Sequence, residues 1–139
     1  GEGQESLRIK SKIKNKKYLK SVKLNGRLSR EDVWEKMIDS DCFIMISKNE
    51  TYGLVYLEAM AAGCITIAAK NEGFDGIIKH GYNGFLCEAG NFKELSNLIN
   101  EINELNNEKI LKISKNAIAT ASELTNFKAA KQYLNNLKY

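Results

Sequence analysis

Two glutamates separated by seven residues, Glu50 and Glu58 in the stretch E-T-Y-G-L-V-Y-L-E, bracket Gly53 and lie between two apolar runs, Cys42 to Ile46 and Cys64 to Ala68. Read as strand, turn, helix and strand, the segment puts Glu50 in a turn and Glu58 on the helix that follows. Glu58 is the only charged residue of that helix, among Leu54, Val55, Tyr56, Leu57, Ala59, Met60, Ala61 and Ala62. A carboxylate on so apolar a helix is costly to bury unless it accepts hydrogen bonds, so it either faces a ligand crevice or pairs inside the protein. Gly53 lets a ligand approach the backbone closely. The amides of Gly53, Leu54 and Val55 lie at the positive end of a helix dipole, suited to phosphate oxygens. Two carboxylates beside a phosphate would repel it. The conflict disappears when they accept from hydroxyls, Glu58 from a ribose and Glu50 from a sugar, while amides and upstream cations hold a diphosphate. The alternative is one surface loop acid and one unrelated helix acid.

The elements that must position these groups read as alternating strands and helices. Cys42 to Ile46 is uninterrupted apolar sequence, as for a parallel strand covered on both faces, and Cys64 to Ala68 is a second. Leu54 to Ala62 reads as the helix between them, stopped by Gly63 in the C-cap role. Asp75 to His80 follows as a short helix ended by Gly81, and Phe85 to Cys87 as a brief third strand. Upstream, Gly1-Glu2-Gly3 resembles the glycine turn after a strand, a helix-compatible stretch runs from Gln4 to about Lys16, and Val22 to Leu24 has strand alternation before the turn pair Asn25-Gly26. Ser29 with Asp32 makes a capping box for a short helix burying Val33, Trp34 and Met37. Past Gly90 three helices are predicted. Asn91 and Glu94 cap the first, Lys109 to Ala121 forms the second, and the third begins near Asn126 with an apolar stripe from Phe127 to Leu137. Such alternation means βαβ units and a doubly wound parallel α/β sheet, whose ligands bind beyond the carboxyl ends of the strands.

At 139 residues the chain suits one domain with a real core, and its 43% apolar and 27% charged residues are ordinary for a globular protein. No apolar run approaches the length that crosses a bilayer. Gly1 to Lys10 is polar and lacks both an initiator methionine and a secretory signal, which predicts a cut fragment and not a natural start. Cys42, Cys64 and Cys87 leave one thiol over whatever the pairing and show no C-x-x-C spacing, so they read as small buried hydrophobes in a reduced, cytoplasmic compartment. The net charge of +4 is concentrated in Arg8, Lys10, Lys12, Lys14, Lys16, Lys17, Lys20 and Lys23. No aromatic interleaving suggests base stacking and the remainder of the chain is not basic, so the run reads as a solvated face and not as a nucleic-acid site, and peripheral membrane contact is the remaining role for it. His80, the only histidine, reads as a turn or helix C-terminal capping residue and not as a general base. Lys48 and Arg27 are candidate phosphate cations.

The stretch Asp41 to Gly84 resembles the donor-site half of the retaining GT-B glycosyltransferases of family 4, the glycosyl transferases group 1. The matching features are the E-x7-E pair, the G-L-V within it, the E-A-M-A-A-G helix end and the later H-G-Y-N-G-F-L run, and the likeness extends more loosely over nearly the whole chain. The fold this implies is a Rossmann-like C-terminal half of a GT-B fold with C-terminal helices, a single nucleotide-sugar-binding domain over 1–139. The resemblance assigns Glu50 to the transferred sugar as the catalytic residue and Glu58 to the ribose hydroxyls. It assigns the amides of Gly53, Leu54 and Val55 to the phosphates, with Thr51 and Tyr52 in the same donor-binding loop, and the backbone of Gly26, Arg27 and Leu28 to the nucleobase.

It further implies a hexosyl or related transferase that moves a sugar from a nucleotide-diphosphate sugar to a glycan or lipid-linked acceptor. The stereochemistry is retained, no metal or other cofactor takes part, and the product belongs to surface polysaccharide or glycolipid. The implied setting is the cytoplasm, including the inner face of the membrane. Two family features are missing from the sequence: the cationic loop after the first strand of this domain, and the N-terminal acceptor domain. Ile46 and Ile65 stand where prolines are frequent, and Gly76 where a glutamate is common. The fragment by itself is therefore expected not to turn over. The alternative is a stand-alone nucleotide-sugar-binding subunit of a split transferase, without activity of its own.

Overall fold

The structure is a computed structural model that describes residue 3 and residues 5–14, 21–49, 53–74 and 76–136, the side chains of residues 14 and 125–136 excepted. It divides into two compact units, Gly1–Glu35 and Lys36–Tyr139.

In the first unit, α1 (Ser6–Lys14) carries Arg8, Lys10, Lys12 and Lys14 and no acid. Residues 22–26 pair with no strand among the described residues, so the strand alternation of Val22 to Leu24 does not produce a strand. Ladder hydrogen bonds stabilise a strand only when a neighbour supplies the other half, and Val22 and Leu24 remain about half exposed. Helix α2 (Arg30–Ile38) starts with the capping box read from the sequence. The Asp32 amide donates to Ser29 Oγ at 3.0 Å, and the Ser29 amide donates to Asp32 Oδ2 at 3.3 Å. Of the three residues expected to be buried, Met37 is buried, Val33 is half-buried and Trp34 is 41% exposed, so the expectation that Trp34 is covered does not hold.

In the second unit a three-stranded parallel sheet, in the order β1-β2-β3, consists of β1 (Cys42–Met45), β2 (Ile65–Ala69) and β3 (Phe85–Cys87). Helix α3 (Leu54–Ala61) makes the connection between β1 and β2. It ends in a Schellman motif: the Gly63 amide bonds to Met60 O and the Cys64 amide to Ala59 O, with Gly63 at φ +86°. This is the stop that Gly63 predicts.

The alternation of β2 distributes its side chains between two cores. Ala68 packs with Tyr56, Met60, Phe74, Ala117 and Ala121 on the α3 face, and Ile65 and Ile67 pack with Phe85, Leu98 and Ile113 on the other. Helix α4 (Phe92–Asn103) covers that second face; Asn91 caps it by accepting the Glu94 amide at 3.1 Å. Helix α5 runs unbroken over Asn107–Asn136, where the sequence suggests two helices. The intervening Ser122 to Thr125 contains neither glycine nor proline, so no residue stops the hydrogen-bond ladder once the helix is under way. Its Ile113 lies in one core and its Ala117 in the other. Ser114 Oγ donates to Gly63 O at 2.8 Å and Asn116 Nδ2 to Tyr82 O at 2.9 Å. Those carbonyls precede β2 and β3, so this part of α5 passes the amino ends of the two strands.

The segment before β3 is a set of turns and not a helix. Residues 76–77 turn, Gly76 has φ +86°, and His80 forms a parallel bridge with Gly84. The buried Asn83 side chain explains the difference. Its Oδ1 accepts the Lys79 amide at 2.7 Å, and its Nδ2 donates to Ile77 O and to Thr120 Oγ1, both at 3.0 Å. Backbone groups that a helix would pair internally are taken by one amide side chain. His80 Nδ1 accepts the Leu86 amide at 3.1 Å and its ring meets Phe85 edge-on, a structural turn role without a helix to cap.

Candidate functional site

The carboxyl edge of the sheet is assembled around the end of β1. Tyr56 Oη donates to Met45 O at 2.7 Å, tying α3 to the last residue of the strand. The Gly90 amide donates to Ile46 O at 3.2 Å, tying the loop after β3 to the next residue. Tyr56 is buried, its ring edge-on to Phe43 at 5.9 Å and tilted on Phe74 at 5.2 Å. A buried phenol needs a partner for its hydroxyl, and in an otherwise apolar helix that need is the signal by which the sequence could have revealed this anchor.

Gly53 precedes α3 in the left-handed region, at φ +53° and ψ +31°. A Cβ at this position would lie 2.5 Å from Tyr56 Cδ2 and 3.0 Å from Phe74 Cδ2, so both the dihedral and the space demand glycine. No side chain caps this entry to α3. Along α3, Tyr56, Ala59 and Met60 are buried, whereas Leu54 and Ala61 are exposed and Glu58 is half-buried. Glu58 thus shares the open side of the helix with Leu54, four residues earlier, and Ala61, three later. Gly53, Leu54, Val55 and Glu58 are together on this short element. Glu50, Thr51 and Tyr52 lie outside the described residues.

Gly26, Arg27 and Leu28 belong to the first unit and line a cavity of about 570 Å³ with Ile9, Lys10, Lys23 and Val33 among others. Gly26 has φ +68°, a left-handed conformation that glycine adopts without a Cβ penalty. Lys10 and Lys23 are neighbours of Arg27 in this lining, which the sequence reading did not single out; their place in a basic run was the available signal.

At the ends of β2 and β3, Lys70 Nζ donates to Glu94 Oε1 at 2.6 Å, while Glu94 Oε2 accepts the Glu88 amide at 2.9 Å. The hydrogen bond to Glu94 raises the Lys70 ammonium above its ordinary value. The bonds from Lys70 and from the Glu88 amide hold the Glu94 carboxyl below its own. Glu94 therefore anchors two loop ends instead of closing a capping box on Asn91. All three thiols are pushed up, chiefly by burial. Cys42 reaches about 11, with Cys64 and Asp41 adding to the effect. Such thiols are poor nucleophiles at neutral pH. Among the described residues no group of three or more His, Cys, Asp or Glu could hold a metal ion, and no helix is long and apolar enough to cross a membrane.

The family model for glycosyl transferases group 1 matches residues 1–120. The chain belongs to the glycosyl transferases group 1 family. It is 37% identical over 90 residues to N-acetyl-alpha-D-glucosaminyl L-malate synthase of Bacillus anthracis, a match that covers 65% of this chain and 23% of that protein. Among solved structures, Anabaena HepE in complex with UDP is 31% identical with a TM-score of 0.79, covering 94% of this chain and 36% of that one. The same protein with UDP-glucose gives 30% identity and a TM-score of 0.70, covering 96% and 38%. Sucrose-phosphate synthase of Thermosynechococcus elongatus, at 24% identity and a TM-score of 0.84, covers 97% of this chain and 34% of that one and shares the fold. This group 1 domain therefore spans 23–38% of these proteins, and its sheet and helices are those of a GT-B glycosyltransferase half.

Proposed function

We propose that this group 1 domain binds the donor of a retaining glycosyltransferase of family 4, which moves a sugar from a nucleotide-diphosphate sugar to a glycan or lipid-linked acceptor in surface polysaccharide or glycolipid synthesis. The observation that carries the reading is the entry to α3, where the left-handed Gly53 opens a set of helix amides and Glu58 follows on the same open side. Amides of Gly53, Leu54 and Val55 stabilise the leaving diphosphate by hydrogen bonds and the helix dipole. A carboxylate at Glu58 accepts from the ribose hydroxyls. The backbone of Gly26, Arg27 and Leu28 contacts the nucleobase, and the cations Lys10, Lys23 and Arg27 give their cavity an affinity for an anionic nucleotide. Glu50, with Thr51 and Tyr52 beside it, is assigned to the transferred sugar, where a carboxylate supports the positive charge that builds up as the bond to phosphate breaks. The UDP and UDP-glucose complexes of HepE support this choice of ligand.

In this reading no metal is required, because amides and cations neutralise the diphosphate. The enzyme acts in the cytoplasm, at the inner face of the membrane when the acceptor is a lipid, with the acceptor held by an N-terminal domain. Isothermal titration of nucleotides and nucleotide sugars into the full-length protein, repeated with Glu50→Ala and Glu58→Ala, tests it. Glu58→Ala should weaken the best nucleotide and its sugar alike, whereas Glu50→Ala should abolish transfer while sparing the nucleotide. Binding of a nucleotide sugar that neither substitution affects would overturn the site assignment.

A further inference from the structure

We infer that Ser47 is a second donor-contacting side chain, whose hydroxyl gives its hydrogen bond to a phosphate oxygen of the nucleotide. The inference rests on the nucleotide-sugar reading and adds a residue to it. Ser47 Oγ is buried and has no hydrogen-bond partner, the one such side-chain atom among the described residues. Buried polar atoms in native proteins are almost always paired, and an exception has a cause.

The surroundings supply one. The backbone entering Ser47 is held on both sides, since Met45 O takes the Tyr56 hydroxyl and Ile46 O takes the Gly90 amide. Ser47 is thus presented on a fixed support with its own hydroxyl bonded to nothing. The residue as a whole is half-buried, and a change of χ1 rotamer would break no hydrogen bond of the hydroxyl. An unpaired hydroxyl destabilises the free protein, and a ligand that accepts from it removes the penalty.

Position and chemistry together select the acceptor. Ser47 lies two residues beyond Met45, the last residue of β1, at the end of the strand where ligands of parallel α/β sheets bind. Next to it, the exposed Lys48 makes no ion pair among the described residues, and its Cε lies 3.5 Å from where a Gly90 Cβ would be, over the same strand ends. A hydroxyl proton and an ammonium side by side, both without an acceptor, suit a group that only accepts. A phosphate oxygen is such a group, whereas a sugar hydroxyl brings a proton of its own.

The test uses the full-length protein and its best-bound nucleoside diphosphate, found by titrating UDP, GDP and ADP, with Ser47→Ala, Ser47→Thr and Glu58→Ala compared by titration calorimetry and thermal unfolding. Loss of a hydrogen bond to a charged group predicts that Ser47→Ala raises Kd about tenfold. Its Tm should stay equal or rise, because an unsatisfied polar atom is removed. Ser47→Thr, which keeps the hydroxyl, should restore most of the affinity. Wild-type affinity in Ser47→Ala overturns the inference, and so does a parallel loss of Tm and affinity that threonine fails to rescue, since the hydroxyl would then be structural. If the wild type binds no nucleoside diphosphate the functional reading itself falls. If Glu58→Ala weakens binding and Ser47→Ala does not, only the role of Ser47 falls.

Discussion

Replacing Gly53 with alanine tests whether the entry to α3 is as tightly determined as its geometry says. Two costs combine. An L-residue held at φ +53° carries about 1–2 kcal/mol of left-handed strain. The new methyl would also stand 2.5 Å and 2.9 Å from Tyr56 Cδ2 and Cε2, and 3.0 Å from Phe74 Cδ2. Neither ring can yield cheaply: Tyr56 is tethered through its hydroxyl to Met45 O at 2.7 Å, and both rings are at most 2% exposed. Overpacking of this kind adds about 1–3 kcal/mol, for a total of about 2–5 kcal/mol. Gly81→Ala is the matched control, because Gly81 has φ +74° with nothing within 4 Å of its missing Cβ and so carries the backbone cost alone, about 1–2 kcal/mol. Urea unfolding followed by circular dichroism measures both, and an unchanged m-value shows that stability and not compactness has moved. A Gly53→Ala variant that loses no more than Gly81→Ala would refute the clash, and with it the claim that Tyr56 and Phe74 hold the first turn of α3 in place. The same variant should weaken nucleotide binding, since the amides of that turn are displaced.

Three further outcomes follow from the contacts. Asn83→Ala removes the partner of the Lys79 amide, Ile77 O and Thr120 Oγ1 at a buried position, and should cost roughly 2–4 kcal/mol in denaturant unfolding, with Asn83→Asp recovering only the bond from the Lys79 amide. Because Lys70 and the Glu88 amide depress the Glu94 pKa below its ordinary 4.5, the folded state binds fewer protons there than the unfolded chain. Its contribution is present above that value and lost as pH falls through the lower folded pKa, so stability curves of wild type and Glu94→Gln should diverge above about pH 4.5 and converge in acid, weakly and less at high salt. With its pKa at about 11, Cys42 is only about one part in a thousand thiolate at pH 8, and Ellman's reagent should modify it far more slowly in the native protein than in urea.

Much of the fold was legible because its signals are local. The continuous apolar runs around Ile44 and Ile67, the glycine after Ala62, the Ser29–Asp32 pair and the Asn91–Glu94 pair all act within about four residues. Periodicity and end groups therefore predict β1, β2, α2, α3 and the start of α4. The prediction failed where distant groups compete for the backbone. Asp75 to His80 carries helix-compatible residues, yet the Asn83 side chain, itself bonded to Thr120 37 residues farther on, captures the Lys79 amide and Ile77 O that a helix would use. Val22 to Leu24 alternates like a strand, but a strand needs a neighbour.

The candidate site divides along the same line. The sequence alone determined that a glycine-led, almost uncharged helix with one carboxylate follows a buried strand, because helix entry, apolar burial and the cost of an isolated charge are properties of adjacent residues. Only the tertiary structure decided what holds that helix in place. Its hydroxyl anchor on Met45 O, the amide of Gly90 on Ile46 O, the ring of Phe74 over Gly53 and the unpaired hydroxyl of Ser47 are relations between separate segments of chain, set by how the strands lie side by side.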